Sequence, residues 1–473
     1  HRPGTAAWLP VAVAAFCCAA TPAWAHTTER GFVLLLPTGH YIAGGTLAVA
    51  ASFLVLAFVP GGLVRRIARA RVALCTMPRI PTAVTSGVAA AALVLLLAAG
   101  LSGSRDPLRN PLPLTVWTLW WVGLTLAQAL FGNLWSALNP WTGPYRALRR
   151  PDARAPLAYP DRLGYWPAIV GFLGFAWFEL VDPAPDDPAR LAVAVAAYWV
   201  ATLAGMLLFG ERAWMARGEC FTVFLGFVAR MAPLQVEDGG PETGGRRLVL
   251  VFPGTRLASL GALPVSGVLF VLLTLGTVSF DGLNKTFWWL DLGGINPLEF
   301  PGRSALVARN SLGLVAVWAA LAIAYGSAIL LGRRLARGGC GRRSLLGAFV
   351  LSILPISIGY HFAHYLTVFL VNAQYAVLAL ADPFARGWGL AGSDHRHVIV
   401  SFLANYDAVS LIWKLQVAGV VAGHVLAVLV AHIVAVETFG RARAAMAGER
   451  LLTALMIGYT LFGLWLLAAP TAG

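Results

Sequence analysis

Apolar residues occur along this chain in long runs rather than in alternation. Ten runs, near residues 40–64, 83–103, 113–136, 164–182, 189–210, 258–280, 307–332, 345–371, 411–436 and 451–469, are long enough to cross a bilayer, which takes about 20 residues at about 1.5 Å rise each. Short polar connections rich in Arg, Pro and Gly separate them. The pattern predicts an all-α fold, a polytopic transmembrane bundle of about ten spans. A shorter apolar patch, Phe221 to Leu234, carries Arg230 and reads as a helix lying along the cytoplasmic interface. Trp135, Asn139, Pro140 and Trp141 read as the stop of the third span, with aromatics at the membrane surface.

The N-terminus carries a different signal. Arg2 precedes an apolar stretch from Ala6 to Ala20, and Ala23-Trp24-Ala25 offers small residues where a signal peptidase reads them. Residues 1–25 therefore read as a secretory signal that is removed, and residues 26–473 as a single polytopic membrane domain.

Composition agrees with the runs. Of 473 residues, 58% are hydrophobic and 12% are charged, with a mean hydropathy of +0.73. A soluble chain carries about 25% charged residues, so an ordinary soluble enzyme is excluded. The formal charge of +14 would suggest a nucleic-acid partner in a soluble protein. Here the arginines gather in alternate connections: Arg65, Arg66, Arg69, Arg71 and Arg79, then Arg146, Arg149, Arg150 and Arg154, then Arg212, Arg217, Arg246 and Arg247, then Arg333, Arg334 and Arg337. By the positive-inside rule these connections are cytoplasmic. The charge then reports orientation: a bacterial inner-membrane protein with its mature N-terminus and its C-terminus in the periplasm, a lipid bilayer as its surroundings, and no nucleic acid.

Cysteines follow the same division. Cys75, Cys220 and Cys340 fall on the inner side, and Cys17 and Cys18 leave with the signal. The outer face is left without thiolate metal sites, disulfides or c-type haem attachment.

Histidines fall the other way. His26 becomes the first mature residue, His40 sits at the outer mouth of the first span, and His395 and His397 occupy an outer connection. His361 and His364 lie about 24 and 28 Å up a core about 30 Å thick, and His424 about 15 Å in. Only His432 is clearly in the inner half. Two imidazoles three residues apart share a helix face, from which both can reach one ion or one ring system. Ionisable groups within spans are costly and functional by default. An N-terminal histidine adds a free amine to its imidazole, a pair that chelates copper.

No phosphate-binding Gly-Lys-Ser/Thr loop, no Gly-x-Ser-x-Gly elbow, no His-Glu-x-x-His and no paired-cysteine metal motif is present. The chain therefore reads as a transporter or binding protein more than an enzyme. The leading expectation is transport or handling of a transition metal such as copper. His361 and His364 would be its ligands, His26 or His40 an outer capture site, and His424 the next station inward. Two alternatives stay open. One is a b-type haem held between the eighth and ninth spans by His361 or His364 and His424. The other is a non-catalytic assembly or scaffold component of a membrane complex with other subunits.

Ala25-His26 with Arg30, Asn139-Pro140-Trp141 and the segment Gly359-Tyr360-His361-Phe362-Ala363-His364-Tyr365 resemble segments of a group of bacterial multi-span membrane proteins. The resemblance runs over most of the chain and implies a fold of about ten helices. It carries over no activity and no site residue.

Overall fold

The computed structural model describes residues 38–78, 80–149, 154–238, 245–296, 302–335, 342–388, 397–439 and 442–471, all within one unit, Pro37–Gly473. Residues 1–25, expected to be a signal, and His26 and His395 lie outside the described residues.

Among the described residues, ten helices are long and apolar enough to cross a membrane, one for each of the ten runs in the sequence. The first is α1 (Thr38–Ala57). It stops seven residues before the end of its apolar run, because Pro60 cannot donate to the helix ladder and starts the amphipathic α2 (Gly61–Arg69) instead. A strand, β1 (Arg71–Met77), leads to α3 (Thr82–Ser102), and α4 spans Pro111–Phe131. Asn110 caps α4: its side-chain oxygen accepts from the Leu112 N–H at 3.0 Å, and Pro111 occupies the first turn, where its missing N–H costs nothing. From Leu114 to Leu124 this helix is wound as a π-helix, and it ends where Gly132 takes a φ of 82°.

The next segment departs from expectation. Two short helices, α5 (Trp135–Leu138) and α6 (Thr142–Leu148), flank a turn in which Trp135, Asn139, Trp141 and Thr142 are buried. Trp135 and Trp141 are thus not surface aromatics. Asn139 holds the turn by accepting from the N–H groups of Trp141 and Thr142 at 3.3 and 3.0 Å.

After α7 (Trp166–Leu180) and α8 (Pro188–Phe209) comes α9 (Cys220–Ala229). Eight of its ten residues are buried, so it does not lie along the interface. Phe224 packs on Trp121 with ring centroids 5.6 Å apart. Trp121 is ten residues from either end of α4, about 15 Å at helical rise. The helix therefore reaches into the middle of the bundle. Its sequence is apolar all round, with no polar stripe to leave in water, and that is the mark of a buried helix rather than an interfacial one. Gln128 of α4 fastens both inserted segments. Its Nε2 donates to the Leu225 carbonyl at 3.1 Å, and its Oε1 accepts from the N–H groups of Leu134 and Trp135.

A small antiparallel sheet follows, β2 (Leu234–Asp238) and β3 (Arg246–Val251), ordered β1-β3-β2 on the arginine-rich face. It is a minor addition to an all-α bundle. The remaining helices are α10 (Val265–Leu283), α11 (Val307–Leu335), α12 (Leu354–Ala381), α13 (Tyr406–Phe439) and α14 (Ala442–Ala468). Pro264 sets the start of α10, seven residues later than its apolar run begins.

Every residue of α10 except Val265 and Leu269 is buried, so it forms the axis around which α7, α11, α12 and α14 pack. α12 and α13 meet through glycine. A Cβ on Gly423 would stand 2.5 Å from the Pro355 carbonyl oxygen and 3.1 Å from the Gly359 Cα, and one on Gly359 would stand 2.6 Å from the Gly419 oxygen. Gly419-x-x-x-Gly423 is the small-residue spacing that lets membrane helices approach backbone to backbone.

Candidate functional site

Three helices bring ionisable groups together near the ends of α7 and α10 that face away from the arginine-rich side. α7 supplies Glu179, one residue before its end, and α10 supplies Asp281, two residues before its end. α12 supplies His361, His364 and Tyr365. The hydroxyl of Tyr365 lies 2.9 Å from Glu179 Oε1 and 2.5 Å from Asp281 Oδ2, and the Trp121 indole N–H approaches it at 3.5 Å. His364 Nε2 lies 3.0 Å from the same Asp281 Oδ2. The result is a continuous chain, Glu179 to Tyr365 to Asp281 to His364.

Proton counting constrains that chain. A phenol carries one proton and serves one carboxylate at a time. The second contact is a hydrogen bond only when that carboxyl carries a proton of its own. With both contacts made as hydrogen bonds, the cluster holds one carboxyl proton that can sit on either side of Tyr365, and the low dielectric around it makes each such bond strong.

Packing fixes the geometry. Tyr360 stacks beneath His364 at 5.8 Å, and glycine at position 282 leaves the space its hydroxyl occupies. His361 lies 4.7 Å from the Tyr365 ring and presents its edge to Trp121 at 5.1 Å. At the mouth, Arg303 Nη2 donates to the Glu179 carbonyl at 2.5 Å, and Lys285 stands exposed one turn beyond Asp281. Asp186, in the connection after α7, is solvent-reached yet hemmed in by neighbouring atoms. That partial desolvation holds its carboxyl above the ordinary carboxylate range, against the opposing pull of Arg303 and Lys285.

Several buried polar atoms in and near the cluster have no hydrogen-bond partner: Glu179 Oε2, Tyr360 Oη, His361 Nε2 and Ser357 Oγ, and on α13 His424 Nε2. Tyr365, His361 and Ser357 are spaced by four and so share one stripe of α12. His424 follows Gly423, level with the Pro355 to Gly359 stretch, about one turn below His361. Its Nδ1 pairs with the Val420 carbonyl of its own helix at 2.8 Å. Native proteins leave few such atoms unpaired, so ordered water or a ligand among them is the ordinary explanation.

No family model, no curated protein and no solved structure matches this chain. The site is therefore read from its own geometry.

The sequence-derived candidates divide. His361 and His364 share one region: both rings lie against Tyr365, at 4.7 and 4.9 Å, while His361 also meets Trp121 and His364 pairs with Asp281. His424 lies below them, and His40 stands exposed on α1. Among the described residues, no three His, Cys, Asp or Glu side chains form a group that would hold a metal ion. A porphyrin between α12 and α13 would have to displace the glycine contact that joins them at the level of His424. Sequence reading missed Glu179 and Asp281. Glu179 lies near the end of the apolar run 164–182, where the only other charged residue is Asp182 at its edge, and nothing singles it out. Asp281 fell one residue outside a span expected to stop at 280, whereas α10 runs to Leu283 and carries it inside.

Proposed function

We propose that this chain is a proton-coupled transporter of a bacterial inner membrane, with a site that opens on the periplasmic side. One observation carries the reading: a single phenolic hydroxyl, Tyr365, stands between two carboxylates inside membrane helices. Burying two acids in a bilayer is expensive and is kept where protons or ions move. Asp281 with His364 forms an acid–base pair on one side of Tyr365, and Glu179, with its unpaired Oε2, stands on the other. The stripe of α12 that carries His361 and Ser357 supports a route inward, since ordered water would satisfy their unpaired atoms.

The positive-inside distribution supports the orientation. It makes the arginine-rich face cytoplasmic and the Glu179 end periplasmic. Copper handling, which the outward histidines suggested, has no three-ligand set among the described residues to support it, so the reading rests on protons and names no metal cargo.

The test is proton movement into proteoliposomes that contain a trapped pH dye, driven by an imposed membrane potential. The wild-type chain is expected to admit protons, and Glu179→Gln and Asp281→Asn to lose that flux. A flux equal in all three proteins would overturn the reading.

A further inference from the structure

A second feature lies on the other side of Trp121. A cavity of about 720 Å³ is enclosed by α3, α4, α7 and α8, within the range of about 300–1,000 Å³ usual for ligand sites. Its walls are apolar, with Leu112, Trp117, Phe178 and Leu191 near the end away from the arginine-rich face. Its floor is aromatic: Trp135, Trp141, Tyr198 and Phe221. That floor is fixed by polar bonds that turn away from the space. Trp135 Nε1 donates to Thr222 at 3.0 Å, Trp141 Nε1 to the Trp199 carbonyl at 3.0 Å, and Tyr198 bonds to Glu219.

Depth identifies what fits. Tyr198 is ten residues from the start of α8, about 15 Å, or half of a hydrocarbon core about 30 Å thick. The cavity thus runs from one membrane face to the midplane and stops there. It opens sideways on α7, where lining residues Val170 and Gly174 are exposed to the surroundings. Thr115, four residues into α4, lines the upper end of the space with its hydroxyl oxygen shielded from it. An apolar slot one leaflet deep and open to lipid has the form of a single phospholipid acyl chain.

We propose that this cavity holds one acyl chain of a phospholipid from the leaflet opposite the arginine-rich face. The chain packs against Trp120 and Phe175, which also touch one another and Phe221. Phe175 meets Trp121 at 4.7 Å and lies one turn from Glu179, so an occupied cavity braces the wall behind the ionisable cluster.

The test uses the full chain in nanodiscs of phosphatidylethanolamine that carries a photoreactive diazirine at the end of one acyl chain. Label on wild-type protein is expected on the floor segments, those containing Trp135 and Tyr198. Gly174→Phe fills the cavity from a position where an added Cβ meets nothing within 4 Å. Floor labelling should then fall about tenfold, equivalent to about 1.4 kcal/mol of binding. Ala194→Phe intrudes on the same space from α8 and should lower the labelling likewise. Floor labelling absent in the wild type, or unchanged in Gly174→Phe, overturns the proposal. If that variant does not fold, unchanged labelling in Ala194→Phe does so.

Discussion

The hydroxyl of Tyr365 stands 2.5 Å from Oδ2 of Asp281, joining α12 to the buried axis of the bundle through one proton. Because Glu179 reaches the same hydroxyl from α7, Tyr365 separates two acids that would otherwise face each other unshielded.

Replacing that hydroxyl should therefore expose a pH-dependent weakness. In Tyr365→Phe the two carboxyls lose their shared donor. When both are ionised they repel in a low-dielectric site, and acid relieves this by protonating them. The thermal midpoint of Tyr365→Phe in detergent should fall below wild type at alkaline pH and approach it as pH falls. A deficit that is the same at every pH would contradict the shared-proton arrangement.

The glycine contact between α12 and α13 should be intolerant of small additions. Gly423→Ala places a methyl group 2.5 Å from the Pro355 oxygen, an overpacking expected to cost about 1–3 kcal/mol. Gly458→Ala, where an added Cβ meets nothing within 4 Å, should leave stability unchanged or raise it. Comparison of unfolding midpoints checks both.

Gln128 should matter more than a polar residue usually does in an apolar helix. Gln128→Leu takes from the Leu225 carbonyl its bond to α4 and leaves the buried N–H of Trp135 without its partner, a loss of about 1–3 kcal/mol for the unpaired N–H. Amide hydrogen exchange in α9 should rise sharply while that in α10 does not. Equal protection of α9 in both proteins would show that the clasp contributes nothing.

Much of this architecture is legible in the sequence because the bilayer imposes length: ten apolar runs match ten helices, with ends displaced by Pro60, Gly132 and Pro264. The region around His361 and His364 is legible for a related reason, since two imidazoles inside one apolar run are conspicuous. Asp281 is not, because its meaning depends on a helix end that shifts by three residues. Nor is the partner of each histidine, which is set by the pairing of α12 with α10 and α4 rather than by spacing along α12. The burial of α9 could have been read from its lack of any polar stripe. The insertion of Trp135 and Trp141 could not, because interfacial and buried tryptophans look alike in a sequence.

The central claim is that a transferable proton resides between Glu179 and Asp281. The most direct measurement is the infrared difference spectrum of the reconstituted protein between acidic and alkaline buffer, in light and heavy water. The account predicts a protonated-carboxyl band that shifts on deuteration, disappears in Glu179→Gln and moves in Tyr365→Phe. A band unchanged in Glu179→Gln and Asp281→Asn, or no such band in the wild type at any pH, would contradict it.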